Sequence, residues 1–86
     1  MDELMQAIRE IEVGQFLLTT VSTLASLAYG KLEQNELAQA KAAIEAIRTL
    51  LPVLEGQVDA GLLRDFGQAL ANLQVAYADA ASGKPD

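Results

Sequence analysis

Apolar residues recur at helical spacing along almost the whole of this 86-residue chain. Positions three and four residues apart share one face of an α-helix, and the apolar positions follow that spacing in three segments. The segments run from about Asp2 to Tyr29, from about Glu36 to Leu51, and from Asp59 to about Ala80. The period-two alternation of half-buried strands is missing from the sequence. The pattern therefore predicts an all-α fold.

Residues that start or stop helices separate these segments. Gly30 stands where a glycine commonly ends a helix. Pro52 removes a backbone donor and ends or bends the second segment, although Leu54 stays in phase with its apolar face. Asp59 is a good N-cap for the third segment. We therefore expect a three-helix antiparallel assembly with a long first helix, formed by a single domain over residues 1–81 and followed by a disordered tail over 82–86.

Each segment carries one main apolar stripe, and the three stripes together predict a small core. Core packing is the ordinary role of such stripes in a helical domain. The predicted core consists of Phe16, Leu17, Val21, Leu24, Leu37, Ile44, Ile47, Leu51, Leu62, Phe66, Leu70, Leu73 and Tyr77.

The first segment changes phase at Gly14. In a continuous helix, the stripe before Gly14 points roughly opposite to the core stripe that follows it. Either the helix breaks at Gly14 and its first turns fold back on the core, or it runs straight and presents apolar groups on two faces. We favour the continuous helix, because a lone glycine without proline or a turn cluster is a weak stop signal.

A straight first helix would leave its second face for another protein chain to cover. This face combines apolar residues with small neutral polar residues, whereas ordinary solvated faces are rich in Lys and Glu. It predicts a homodimer interface that completes the core, formed by Leu4, Met5, Ile8, Ile11, Gln15, Thr19, Ser22 and Ser26.

Composition argues against catalysis. The chain contains no His, Cys or Trp, and therefore lacks the side chains that most often bind transition metals, attack carbonyls or move protons at neutral pH. Phosphate-binding glycine loops and oxygen-ligand calcium loops are missing as well. We therefore expect no enzyme activity, no metal and no cofactor.

The net charge of −6 argues against nucleic-acid binding, because acidic proteins repel phosphate backbones. Residues 13–30 carry no charge, and their length approaches that of a membrane span. However, six Ser, Thr and Gln side chains lower the hydrophobicity of this stretch, and no Lys/Arg cluster flanks it, so a membrane location is not expected. The acidic start, Asp2-Glu3, is unlike a signal peptide, and we expect a cytoplasmic protein.

The apolar spacing between Val13 and Ala80 is similar to that of a family of small bacterial helical domains of unknown function. The resemblance rests on three runs: Phe16…Val21…Leu24…Ala28, then Leu37…Ala40…Ile44…Ile47…Leu51, then Leu70-x-x-Leu73-x-x-x-Tyr77. The chain departs from the Gly-Asn-Leu-Thr-like turn of that family, since Gly56-Gln57-Val58-Asp59 precedes its last helix. The resemblance implies a bacterial cytoplasmic helical domain without an assigned activity.

Two functions fit these expectations. The first is a non-catalytic protein–protein interaction module that acts as a homo-oligomer, most simply a dimer. The second is a small acidic accessory or regulatory subunit that binds a different, larger protein through the same face.

Overall fold

Four α-helices and one short 3₁₀ helix make up the fold in the computed structural model, which describes residues 2–83. The helices are α1 (Asp2–Glu10), α2 (Val13–Glu33), α3 (Leu37–Leu50) and α4 (Ala60–Ala81), and the 3₁₀ helix spans Leu51–Leu54 between α3 and α4. Within this part of the chain no strand occurs. The predicted all-α class is therefore confirmed. Of the predicted tail, Ser82 and Gly83 form a turn after α4, and Lys84 to Asp86 lie outside the described residues.

The predicted continuous first helix is wrong. The helix is interrupted at Ile11 and Glu12, where the backbone of Glu12 is extended (φ −78°, ψ 123°). The axes of α1 and α2 meet at 85°. The alternative expectation placed a break at Gly14. The observed break lies two to three residues earlier, and Gly14 itself is in α2.

The end of α2 was also predicted too early. The helix continues past Gly30 to Glu33, and Asn35 adopts the left-handed conformation (φ 60°) directly after it. The Glu36 amide donates to the Lys31 carbonyl (2.8 Å) and the Asn35 amide to the Leu32 carbonyl (3.0 Å), which is the hydrogen-bond pattern of a Schellman motif. Asn35 therefore ends α2, a role that the sequence analysis gave to Gly30.

The junctions around the 3₁₀ helix match their sequence signals. Pro52 stands in its first turn, and the helix keeps Leu54 in phase with the core, where its side chain is fully buried. The Asp59 carboxylate accepts hydrogen bonds from the amides of Gly61 (2.9 Å) and Leu62 (3.2 Å). The predicted N-cap of α4 is therefore confirmed.

The core lies among α2, α3, α4 and the 3₁₀ helix, which all contact one another. The buried apolar residues are Val21, Ala28, Ala40, Ala43, Ile44, Ile47, Leu51, Leu54 and Leu73. The half-buried side chains of Leu17, Leu24, Phe66, Leu70 and Tyr77 pack around them.

Two predicted core residues lie on the surface. Phe16 is 57% exposed and Leu62 is 36% exposed. Phe16 is in the first turn of α2, beside the 85° bend, where none of the other helices covers it. Leu62 likewise lies in the first turn of α4. Their neighbours Leu17 and Leu63 pack against the buried core instead.

Candidate interaction surface

Helix α1 packs on none of the other helices within residues 2–83. None of its residues is buried, and its large apolar side chains are 49–62% exposed, with Ile8 at 52%. The first turns therefore do not fold back on the core, which was the other expectation for a broken helix. The surface is defined by Leu4, Met5, Ile8, Ile11, Val13 and Phe16, and is called the N-terminal patch below.

The start of α2, next to the bend, packs against the turn that contains Gln57. Gly14 is buried, and a Cβ atom placed there would lie 3.2 Å from the Cβ, carbonyl and Oε1 atoms of Gln57. The glycine thus permits the start of α2 to lie against the turn that precedes α4. Gly14 was predicted to mark the phase change, but its structural role is this close approach.

The outward face of α2 is polar, and several of its hydroxyl groups are already paired within the helix. The hydroxyls of Thr19 and Thr23 donate to the carbonyls four residues earlier, at 3.2 Å and 3.0 Å. A hydroxyl paired in this way can be covered without losing its hydrogen bond. This face can therefore be buried by a partner at a lower cost than a charged face.

All eight predicted interface residues lie on the exposed surface, but they do not form one straight stripe. The bend divides them into an apolar group on α1 and a polar group on α2. Ile11, Gln15 and Thr19 come together with Phe16 around a shallow pocket of about 410 Å³ at the bend. Sequence reasoning missed Val13 and Phe16 as members of the patch.

A second apolar feature adjoins the 55–58 turn at Glu55. An open groove of about 360 Å³ runs between the 3₁₀ helix and α4, and Leu63, Gly67 and Leu70 form its α4 wall. Leu51 and Pro52 form the other wall, and Arg48 and Glu55 stand at the rim. A Cβ atom at Gly67 would have no neighbour within 4 Å. The α4 wall of the groove therefore has open space above this glycine, a feature that the sequence did not predict.

The chain exposes more surface than a compact monomer of its size. It exposes 6119 Å², whereas a folded monomer of 9.2 kDa is expected to expose about 4,900 Å². The radius of gyration of 15.4 Å likewise exceeds the roughly 12 Å expected for a chain of this length. The excess surface is of the order of the 800 Å² or so that each partner buries in a standard interface.

The chemistry of the described surface is simple. Over residues 2–83 no group of three or more carboxylates is arranged to hold a metal ion, and no polar or charged side chain is buried. The two ion pairs in this range, Lys31–Glu36 (3.3 Å) and Glu45–Arg48 (2.6 Å), lie at the surface. These groups provide charge at the surface and no enclosed reaction site.

None of the described helices is, by itself, both long and apolar enough to cross a membrane. The pair α1 and α2 passes the same test of length and composition when counted together, although the two helices are bent by 85°.

Comparison of the chain with protein-family models, with curated proteins and with solved structures gave no match. The resemblance to small bacterial helical domains therefore stays a prediction.

Proposed function

We propose that this protein is a non-catalytic protein–protein interaction module that acts as a homo-oligomer, most simply a dimer. The observation that carries the proposal is the N-terminal patch, an apolar surface that no other helix within residues 2–83 packs against. Burying a Leu or Ile side chain contributes about 1.5–3 kcal/mol. Leu4 and Ile8 on α1, together with Ile11 directly after it, therefore supply enough free energy for a modest interface.

The length of α1 supports the same conclusion. Isolated helices shorter than about 12–15 residues are marginally stable in water, and α1 has nine residues that pack on none of the other described helices. A partner that covers its apolar face would stabilise both the helix and the contact. In this proposal α2, α3 and α4 form an antiparallel three-helix body, and dimerisation adds the missing apolar contacts around α1.

The remaining expectations accompany this proposal. The absence of His and Cys from the sequence favours a role without catalysis, metal or cofactor. The net charge of −6 disfavours nucleic acid as a partner. The cytoplasm stays the expected compartment.

The test is the mass of the chain in solution, measured by light scattering at micromolar concentration. We expect a dimer for the native chain and a monomer for Ile8→Asp, because a charge buried in an apolar interface costs several kcal/mol. The variant should keep its helix content, since Ile8 packs on none of the core helices.

Val75→Asp is the matched control. Val75 is also an exposed apolar helix residue, 62% accessible, but it lies on α4 and outside the N-terminal patch. This variant should remain a dimer. A native chain that is monomeric at all accessible concentrations would contradict the proposed function.

The second candidate is an accessory subunit that binds a larger protein through the same patch, and the acidic charge of the chain favours a basic partner for it. The salt dependence of binding distinguishes the two functions. Two copies of charge −6 repel each other, so added salt should strengthen self-association by screening that repulsion. A complex with a basic protein should weaken as salt is added.

A further inference from the structure

Two surfaces of the chain have matching spacing. The apolar ridge consists of Leu4 and Ile8 on α1 and of Ile11 directly after it, at intervals of four and three residues. The Ile11 amide still donates to the Ile8 carbonyl (3.2 Å). The α4 wall of the groove consists of Leu63, Gly67 and Leu70, again at intervals of four and three residues. In one surface the middle residue is large, and in the other it is a glycine with open space above it.

Resting on the proposed function, we infer that α1 of one copy docks in the groove of a second copy, with Ile8 seated over Gly67. A large side chain that enters a gap between larger neighbours is the usual way in which helix ridges pack into grooves. The intervals match in sequence order for parallel helices, and reversing one helix displaces the flanking residues by only one position, so Ile8 stays opposite Gly67 in either direction. The pairing of Ile8 with Gly67 is therefore independent of whether the two helices run parallel or antiparallel.

The dimensions of the two surfaces agree. The nine residues of α1 extend about 13 Å at 1.5 Å per residue. The groove wall from Leu63 to Leu70 covers about two helical turns, or roughly 11 Å. The whole apolar ridge thus fits along the groove, and the excess surface of the chain is large enough for a contact of this kind.

The position of the bend explains why the occupant is a second copy. Gly14 fixes the start of α2 against Gln57, and Glu55 in the same turn borders the groove. The bend therefore lies near one end of the groove, while the 85° angle leaves α1 without contact to its own α4. Two copies placed with their bends together can each insert α1 into the groove of the other, which gives a closed, symmetric dimer.

Disulfide cross-linking tests this pairing directly, because the chain has no native Cys. Ile8→Cys and Gly67→Cys are made separately, mixed in equal amounts and oxidised gently. We expect a covalent dimer that joins residue 8 of one copy to residue 67 of the other, since a disulfide requires Cα atoms about 4.4–6.8 Å apart. Gly30→Cys replaces Gly67→Cys in the control, because Gly30 is also a helical glycine with open space above it. It should give little cross-linked product.

Other products would overturn the inference. Ile8→Cys linking to itself would indicate that two α1 helices pack face to face. A double variant, Ile8→Cys with Gly67→Cys, that oxidises to a monomer with an internal disulfide would indicate that α1 docks on its own chain. If Ile8→Cys links to itself, the native chain would still be dimeric and the proposed function would stand. A native chain that is monomeric by light scattering would contradict both the proposed function and the docking of α1 in the groove.

A second variant fills the groove without relying on oxidation. Gly67→Leu places a side chain in the space assigned to Ile8, and should weaken self-association at least tenfold while circular dichroism shows unchanged helix content. Gly30→Leu is its control and should leave the dissociation constant within about twofold. Unchanged self-association of Gly67→Leu would overturn the docking of α1 in this groove.

Discussion

Helices α1 and α3 are both amphipathic, but only α3 has neighbours. Four residues of α3 are buried, Ala40, Ala43, Ile44 and Ile47, whereas α1 buries none. The difference does not lie in the apolar character of their stripes. It lies in the connections, because the Schellman turn after α2 directs α3 along the body, whereas the extended backbone at Glu12 directs α1 away from it.

An apolar stripe therefore predicts that a helix face will be covered, but not by which chain. For α3 the cover is α2 and α4. For α1 the chain provides no cover among its described residues, and the proposed cover is the groove beside Gly67 in a second copy. The comparison gives a rule for variants: substitutions in α3 should change the stability of the fold, and those in α1 should change the association of copies.

The largest effect is expected at Ile47, which is 1% exposed in α3. Ile47→Ala should lower the free energy of unfolding by about 2–5 kcal/mol, because the cavity adds to the lost apolar burial. Urea denaturation followed by circular dichroism measures this loss. A decrease below about 0.5 kcal/mol, the usual range of surface substitutions, would mean that α3 is not part of the core.

An intermediate effect is expected at the start of α4. Asp59 accepts two backbone hydrogen bonds, and Asp59→Ala should lower the free energy of unfolding by about 1 kcal/mol. Asp65→Ala, an exposed position inside α4, is the matched control and should change it by less than about 0.5 kcal/mol. Equal effects of the two substitutions in thermal denaturation would argue against the cap.

The smallest effect on the fold is expected at Ile8. At concentrations low enough to keep the chain monomeric, Ile8→Ala should change the free energy of unfolding by less than about 0.5 kcal/mol, because Ile8 is a surface residue of the lone chain. The same urea experiment as for Ile47→Ala applies. A loss close to that of Ile47→Ala would show that α1 packs on the core of its own chain. That result would contradict the distinction drawn between α1 and α3.

Sequence reasoning succeeded where local signals decide the structure. The packed helices, the cap at Asp59 and the continuation of the core through Leu54 all follow from periodicity and from residues with known positional preferences. The break at Ile11 and Glu12 could not be predicted in this way. Neither residue is a glycine or a proline, and no side chain caps the start of α2.

Gly14 illustrates why the rest could not be predicted. Its partner is Gln57, which is distant in sequence, so its role in close approach is invisible to any local pattern. The groove beside Gly67 likewise requires the position of the 3₁₀ helix relative to α4. Of the candidate surface, the apolar residues before Gly14 could be selected from their phase, whereas Phe16 was assigned to the core.

Amide hydrogen exchange of α1 tests the central claim most directly. In the native chain at dimer-forming concentrations, the amides of residues 5–10 should be protected, and dilution or the Ile8→Asp substitution should remove that protection. The amides in the middle of α3 should stay protected in every sample, since their cover lies within the chain. Protection of α1 that is the same in native chain and Ile8→Asp, at high and at low concentration, would contradict the claim that a second copy covers this helix.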